Sequence, residues 1–310
     1  MKRRTLLGSC AFAGIALAMN GAEVAETKAG ASAGNLADAV PNPLPVPAKG
    51  RRIHVAVVIG KDAVVIDFTG PWEVFHDVSV AGYDGSPFEL YTVAESLDPV
   101  KVAGGLTIVP DYAFDKAPKP DVIVVPALMT TPALIAWLKS ASPASDVTMS
   151  VCAGSLVLAE AGLLAGKAAT TFHGAAVYMA AENPNVSVKR GVRFVDDGNV
   201  STAGGLTSGI DLALHVVDRY FGRAVAEQTA WDLEHLSSAW KNPGLNSAYA
   251  NRPSLTGAHP LCPVCEMGAN WSGNDLQKLP TDVYRGKRYY FCSEAHKTTF
   301  EKTPERYAEP

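Results

Sequence analysis

Charge is what this 310-residue chain has least of. Only 19% of its residues are charged, against roughly 25% in an average soluble protein, and the net charge is −4. There is no basic field to grip a phosphate backbone, which argues against a nucleic-acid partner. No apolar run reaches the ~20 residues that span a bilayer. Cysteine is scarce and uneven. Of Cys10, Cys152, Cys262, Cys265 and Cys292, three fall in the last 49 residues, which excludes an evenly stapled secreted fold. With 27 Gly and 21 Pro the chain is neither collagen-like nor of low complexity. What is present is apolar bulk: 47% hydrophobic residues over a length of about two domains at ~150 residues each.

Residues 1–22 read as a signal peptide. Met1-Lys2-Arg3-Arg4 is a positive start with no acidic residue before Glu23, followed by the apolar run Leu6 to Ala18. That run suits the 7–15 residues of a signal core, and Ala16-Leu17-Ala18 offers a small-residue cleavage site. Arg3-Arg4 before Thr5-Leu6-Leu7 resembles a twin-arginine export signal. The resemblance implies export of an already folded protein to the periplasm. Cys10 precedes most of the apolar run, so it is expected to leave with the signal rather than carry a lipid. Residues 23–50 are Ala-rich, punctuated by Pro41, Pro43, Pro45 and Pro47, and read as a disordered linker.

From residue 51 to 240 the pattern alternates. Ile53 to Ile59 is an almost continuous β-branched run, as expected of a strand buried on both faces. Similar runs lie at Phe88–Val93, Val122–Val125 and Val147–Val151, with helical patterns near Pro71–Val78, Pro132–Lys139 and Ser155–Leu164 between them. Gly205 to Phe221 places Leu206, Ile210, Ala213, Leu214, Val217, Tyr220 and Phe221 on one helical face. Such alternation predicts an α/β fold with a parallel sheet and helices on both faces. Chemistry then belongs at the carboxyl ends of the strands.

Three strand exits carry residues that can react. In Ser150-Val151-Cys152-Ala153-Gly154-Ser155 a β-rich run meets a helical pattern through small residues, the logic of a nucleophile elbow. The helix start is expected to lower the Cys152 pKa, with the Ala153 N–H as an oxyanion donor. A buried, inert cysteine fits the segment equally well. Asp67, placed just past the first strand and before a helix opened by Pro71, can orient or deprotonate the thiol, or simply bracket the turn. His173 closes the β-type run Thr170-Thr171-Phe172, as a general base or a structural residue.

Taken together, three segments resemble the ThiJ/PfpI superfamily and its isonitrile hydratase-like branch: IDFTGPWEVF, SVCAGSLVLAEAGLLAGKAATTFHGA and STAGGLTSGIDLALHVVDRYFG. The resemblance covers roughly residues 52–235. It implies a flavodoxin-like α/β sandwich related to class I glutamine amidotransferase domains, usually dimeric, with Cys152 as nucleophile and Asp67 as its acidic partner. It also implies a role for His173 that varies among members. Gly104-Gly105 matches a glycine turn whose Gly105 N–H completes an oxyanion hole. The residue after the cysteine is Thr in the isonitrile hydratase pattern and Ala153 here, so that hydroxyl is missing. No cofactor is expected in the α/β domain, and the superfamily also includes non-catalytic sensor domains of transcription regulators.

Residues 241–258 read as a second linker, and 259–310 as a separate unit. Cys262-Pro263-Val264-Cys265 is a C-x2-C knuckle, and Cys292 to His296 is a C-x3-H pair. Three thiolates and an imidazole suffice to close a tetrahedral site. A tail of ~50 residues cannot easily bury a stable core alone, which makes a structural metal useful. A Cys262–Cys265 disulfide stays open as an alternative in an oxidising compartment. CPVCEM, the run Val283 to Cys292, and Phe300, Pro304 and Tyr307 resemble the YHS domain. In that pattern the last ligand is usually Cys where His296 stands, and Gly is commoner where Glu266 stands. The resemblance implies zinc or copper. Two readings follow: an exported, dimeric enzyme with a small-molecule substrate and a metal-binding tail, or a periplasmic metal-handling protein with a non-catalytic α/β domain.

Overall fold

The protein is described by a computed structural model at residues 42–309, apart from 49, 257–258, 269–270 and 272. The signal peptide, and linker residues 23–41, therefore lie outside the described residues.

The chain runs β1 (Ile53–Val58), α1 (Val65–His76), β2 (Phe88–Ala94), a hairpin of β3 (Val100–Lys101) and β4 (Thr107–Ile108), β5 (Tyr112–Ala113) and β6 (Val122–Val125). Next come α2 (Pro132–Ala141), β7 (Val147–Ser150), α3 (Gly154–Glu160), β8 (Ala168–Ala169), α4 (Ala176–Glu182) and β9 (Ser187–Val188). The domain closes with β10 (Phe194–Asp197), β11 (Val200–Ala203), α5 (Ser208–Phe221) and α6 (Arg223–Asp232). Seven strands form one sheet in the order β10-β11-β7-β6-β1-β2-β5. Every neighbouring pair is parallel except β10 with β11. This is the mixed α/β layering expected from the alternating apolar runs. Along β1, Ile53, Val55 and Val57 pack with α1 and α5, whereas Ala56 and Val58 pack with α2 and α3 on the opposite face. The pleat thus splits one apolar run between two cores.

Three expectations need correction. The α1 helix begins at Val65, so Asp67 sits in its first turn and Pro71 inside it, rather than at its start. Pro71 has no N–H to offer the carbonyl four residues back, which is that of Asp67, so the proline loosens this turn instead of preventing it. Helix α5 is not one-sided; Asp211, His215, Asp218 and Arg219 are buried along with its apolar residues. Their charges are matched by Arg193, Asp196 and Arg223. The end of the first linker is tied down as well. Asn42 accepts a hydrogen bond from Arg219 Nε at 2.9 Å, and the Leu44 N–H donates to the Arg219 carbonyl at 2.9 Å.

The tail adds α7 (Gly273–Leu276), the hairpin β12 (Thr281–Tyr284) and β13 (Lys287–Tyr290), α8 (Glu294–Lys302) and α9 (Pro304–Tyr307). Its small core of Leu255, Leu261, Val264, Tyr289, Phe291, Phe300 and Tyr307 includes Ala181 of α4. Arg306 donates to the Ala181 carbonyl at 2.6 Å and Tyr307 to Glu182 at 2.5 Å. A core too small to stand alone is completed by the larger domain, and both belong to one compact unit.

Candidate functional site

Cys152 follows β7 directly and takes φ +59°, the left-handed region that costs an L-residue of order 1 kcal/mol or more. Its N–H donates to the Gly204 carbonyl at 2.9 Å, and its carbonyl accepts from the hydroxyls of Thr171 (3.2 Å) and Ser155 (3.3 Å). These bonds hold the strained turn. Gly154 is required for it, because a Cβ there would lie 2.3 Å from the Val125 carbonyl oxygen. The nucleophile elbow expected from the small residues is formed.

Four neighbouring strand ends supply the thiol, its carboxyl neighbour and the amides that face them. Asp67 comes from the turn after β1, Ala127 from that after β6, Cys152 and Ala153 from the exit of β7, and Leu206 from that of β11. Asp67 is fully buried and its Oδ2 accepts from the Ala127 N–H at 3.2 Å. Its carboxyl interacts with the Cys152 thiol, but Oδ1 has no partner in conventional hydrogen-bond geometry. Burial pushes the Asp67 pKa up to about 6, with the Ala127 amide and the thiol pulling the other way. Burial, and then the Asp67 charge, push Cys152 up to about 11 despite N–H groups of Ala153 and Leu206 facing its sulfur. The expected lowering of the Cys152 pKa is thus overturned. The amide donors are in place, but loss of water and a nearby carboxylate outweigh them.

The Ala153 amide is where the elbow logic put it, but the second donor is Leu206, not Gly105. Gly105 is exposed, and its N–H is taken up by the Val102 carbonyl at 3.3 Å. Leu206 escaped sequence reading because it looked like part of a helical face. It precedes α5 at φ +45° and is 42% exposed.

His173 opens a short turn, not a strand end. Its ring stacks on Tyr249 (centroids 4.5 Å apart, 25° between planes) and leans on Phe172. Burial lowers its pKa, Glu266 opposes this, and Arg190 adds to it. Among the described residues it makes no hydrogen bond to Cys152 or Asp67, so it serves as a wall of the adjoining cavity. That cavity holds about 300 Å³ and is floored by the Gly205–Ser208 turn, with Thr171, Arg190 and Tyr249 on its sides. The second linker contributes here rather than hanging free. The Pro243 carbonyl accepts from the Arg193 N–H at 2.6 Å, and Asn246 donates to the Val192 carbonyl at 3.3 Å.

In the tail, the donor atoms of Cys262, Cys265, Cys292 and His296 all lie within 4.8 Å of one another. Neighbouring atoms are 3.7 Å apart for Cys265–Cys292, 3.5 Å for Cys262–His296 and 3.1 Å for Cys292–His296. A tetrahedral ion about 2.3 Å from sulfur and 2.0–2.1 Å from nitrogen gives edges of about 3.5–3.8 Å. The Cys265–Cys292 and Cys262–His296 edges match, and the Cys292–His296 edge would widen by about 0.4 Å to admit one. Three thiols and an imidazole suit zinc or Cu(I). Bonds from Cys265 and His296 hold the Cys262 thiol well below its ordinary range, as a ligand requires. All four described cysteines are free of disulfides. Ser293 caps α8 by accepting from the His296 N–H at 3.2 Å, which fixes the imidazole's turn.

A strained elbow cysteine over a parallel sheet, with a buried carboxyl beside it, defines a class of α/β sandwich proteins built around a single thiol. The chain belongs to the DJ-1/PfpI family, whose profile matches residues 53–219, and it ends in a YHS domain matched at residues 273–310. That second match includes Cys292 and His296 and begins after the Cys262–Cys265 knuckle. Isonitrile hydratase from Pseudomonas putida is 35% identical over 176 residues, covering 55% of this chain and 73% of that protein. An HTH-type transcriptional regulator from Pseudomonas aeruginosa is 32% identical over 137 residues, covering 43% of this chain but only 40% of the regulator. A crystal structure of a ThiJ/PfpI family protein from Pseudomonas syringae aligns with TM-score 0.55 and 28% identity, covering 62% of this chain and 78% of that one.

Proposed function

We propose that this chain is an enzyme that adds water to a small electrophilic carbon through the Cys152 thiol, with an isonitrile group as the nearest precedent. The observation that carries the reading is the Asp67–Cys152 pair: a thiol of pKa about 11 against a carboxyl of about 6. A free thiolate is rare at neutral pH, so attack is coupled to proton transfer. Ionised Asp67 takes the thiol proton through Oδ1 as the sulfur–carbon bond forms. The Ala153 and Leu206 N–H groups stabilise charge on the sulfur meanwhile. Asp67, now an acid, returns the proton to the substrate carbon, giving a thioimidate from an isonitrile. Water then adds across its C=N bond, and the carbon–sulfur bond breaks to release an N-substituted formamide and the thiol. Thr171 and Ser155 spend their hydroxyls on the Cys152 carbonyl, so neither replaces the hydroxyl missing at Ala153.

The test is a screen of isonitriles and 2-oxoaldehydes against wild type, Cys152→Ala and Asp67→Asn. Product formation lost in both variants supports the reading; no turnover by wild type, or turnover that survives Cys152→Ala, removes it. The tail would hold zinc or Cu(I) through Cys262, Cys265, Cys292 and His296, where the ion would lock the knuckle to α8. A second reading, heavy-metal handling with the α/β domain as a ligand sensor, draws on that four-donor cluster. It becomes the better one if metal loads and no substrate turns over. We also propose export by the twin-arginine route to the periplasm and a homodimer through the α/β domain. Cell fractionation with Arg3 and Arg4 changed to Lys, and light scattering of the purified protein, test these two points.

A further inference from the structure

The cavity beside Cys152 has an uneven chemistry. Lys189, Arg190 and Arg193 line it, and no Asp or Glu does. The carboxylates that balance the two arginines stand outside the lining: Asp211 accepts from Arg193 and Glu266 from Arg190, both buried. Held by these buried partners, the arginines are fixed in place. The Arg190 Nε is enclosed by protein and beyond a ligand's reach, whereas Lys189 is exposed and makes no ion pair among the described residues. Lys189 is exposed in its side chain but anchored in its backbone, donating to Ala169 at 2.7 Å and accepting from the Thr170 hydroxyl at 2.7 Å. The same cavity is lined by the packed rings of Phe172, His173 and Tyr249. A volume of about 300 Å³ lies at the small end for a ligand site.

We infer that this cavity binds a small organic anion, a carboxylate carried on a planar apolar body, with Lys189 facing the carboxylate and the aromatic wall facing the plane. Charge-assisted bonds to a site short of carboxylates supply the selection. The rings supply area at little entropic cost. Cys152 itself does not line the cavity, but Leu206 does, and its N–H faces the Cys152 sulfur, so the cavity adjoins the elbow. As a binding site the inference stands without the reaction proposed above; as a statement of substrate class it rests on that reading, and means acids rather than neutral isonitriles.

Benzoate and benzamide share size and plane and differ in charge, which makes them the probes. Titration calorimetry on the full-length protein is expected to show benzoate binding at least tenfold more tightly than benzamide, a gap that closes in Lys189→Ala. Lys189 is exposed, so its loss leaves the fold intact, and circular dichroism checks this. Tyr249→Leu is expected to weaken both probes by a similar factor. Equal affinity for the two probes, no binding of either at millimolar concentration, or benzoate affinity unchanged in Lys189→Ala would each overturn the inference. Benzoate binding without any thiol-dependent turnover would instead remove the proposed reaction and leave the anion site standing.

Discussion

Glu266, the residue directly after Cys265 of the four-donor cluster, accepts two hydrogen bonds from Arg190, at 3.3 and 2.9 Å. Its carboxylate is also bonded by Arg252 Nε at 3.0 Å. It does so from φ +54°, a left-handed conformation that favours Gly. Here the backbone cost is offset by three charge-assisted bonds. Two residues before the start of α4, Gly174 makes room for the Cys265 carbonyl, which a Cβ would approach to 2.6 Å. The metal knuckle and the wall of the Cys152 cavity are therefore one packed unit.

Metal removal is expected to loosen that wall. After chelation, hydrogen exchange should quicken across residues 170–193 and leave β1, β6 and β7 unchanged. Exchange that is identical with and without metal would mean that the knuckle holds its shape by packing alone. Cys292→Ser should bind far less metal than wild type, and equal metal content in the two would eliminate the four-ligand site.

Gly174→Ala should destabilise the packed unit by about 1–3 kcal/mol, because the new methyl meets a backbone carbonyl that cannot give way as a side chain would. Thermal unfolding followed by far-UV circular dichroism reads this directly. An unchanged melting temperature would show that the interface shifts freely.

Cys152 should alkylate slowly at pH 7 and show an inflection near 11, a direct consequence of burial and the Asp67 charge. Asp67→Asn removes the charge, so the thiol titrates lower and iodoacetamide should label it several-fold faster at pH 8, even as turnover is lost. Opposite directions in reactivity and activity distinguish a proton carrier from a merely structural carboxyl. Turnover itself should rise with an inflection near pH 6, as Asp67 ionises and becomes a base.

Asp67 also costs stability, and the sign is specific. Its pKa is about 6 folded and near the ordinary 3.8 unfolded. Below that lower value both states are protonated and there is no cost. Between the two values the unfolded chain releases its proton first, so stability falls as pH rises, and above the upper value the cost is constant. Asp67→Asn should therefore be more stable than wild type at pH 8, by on the order of 3 kcal/mol, and no more stable at pH 3. Paired thermal melts at the two pH values decide it.

Periodicity and small residues made much of this legible in advance. Runs such as Val122–Val125 became strands at the expected bounds, since β-branched residues between turns leave little alternative. The Cys152 elbow was legible because a close backbone approach needs Gly154, and the Cys/His cluster because its members pair at short local spacings. Leu206 was not legible, because an amide donor leaves no mark on the side chain that carries it. Arg190, Tyr249 and Glu266 were not either, since nothing local says that a presumed linker and a tail fold back on the larger domain.

By itself the sequence determined the layers, the elbow, the acid near it and the four Cys and His side chains that cluster in the tail, each marked by residue types and short local spacings. Tertiary structure alone decided the chemistry of the thiol. Whether helix-end amides or desolvation sets the Cys152 pKa depends on how much water and which charges surround it, and Asp67 lies 85 residues away in the chain. The same holds for the cavity, whose cations come from one domain and whose balancing Glu266 comes from the other. Long-range packing, not local propensity, placed those charges.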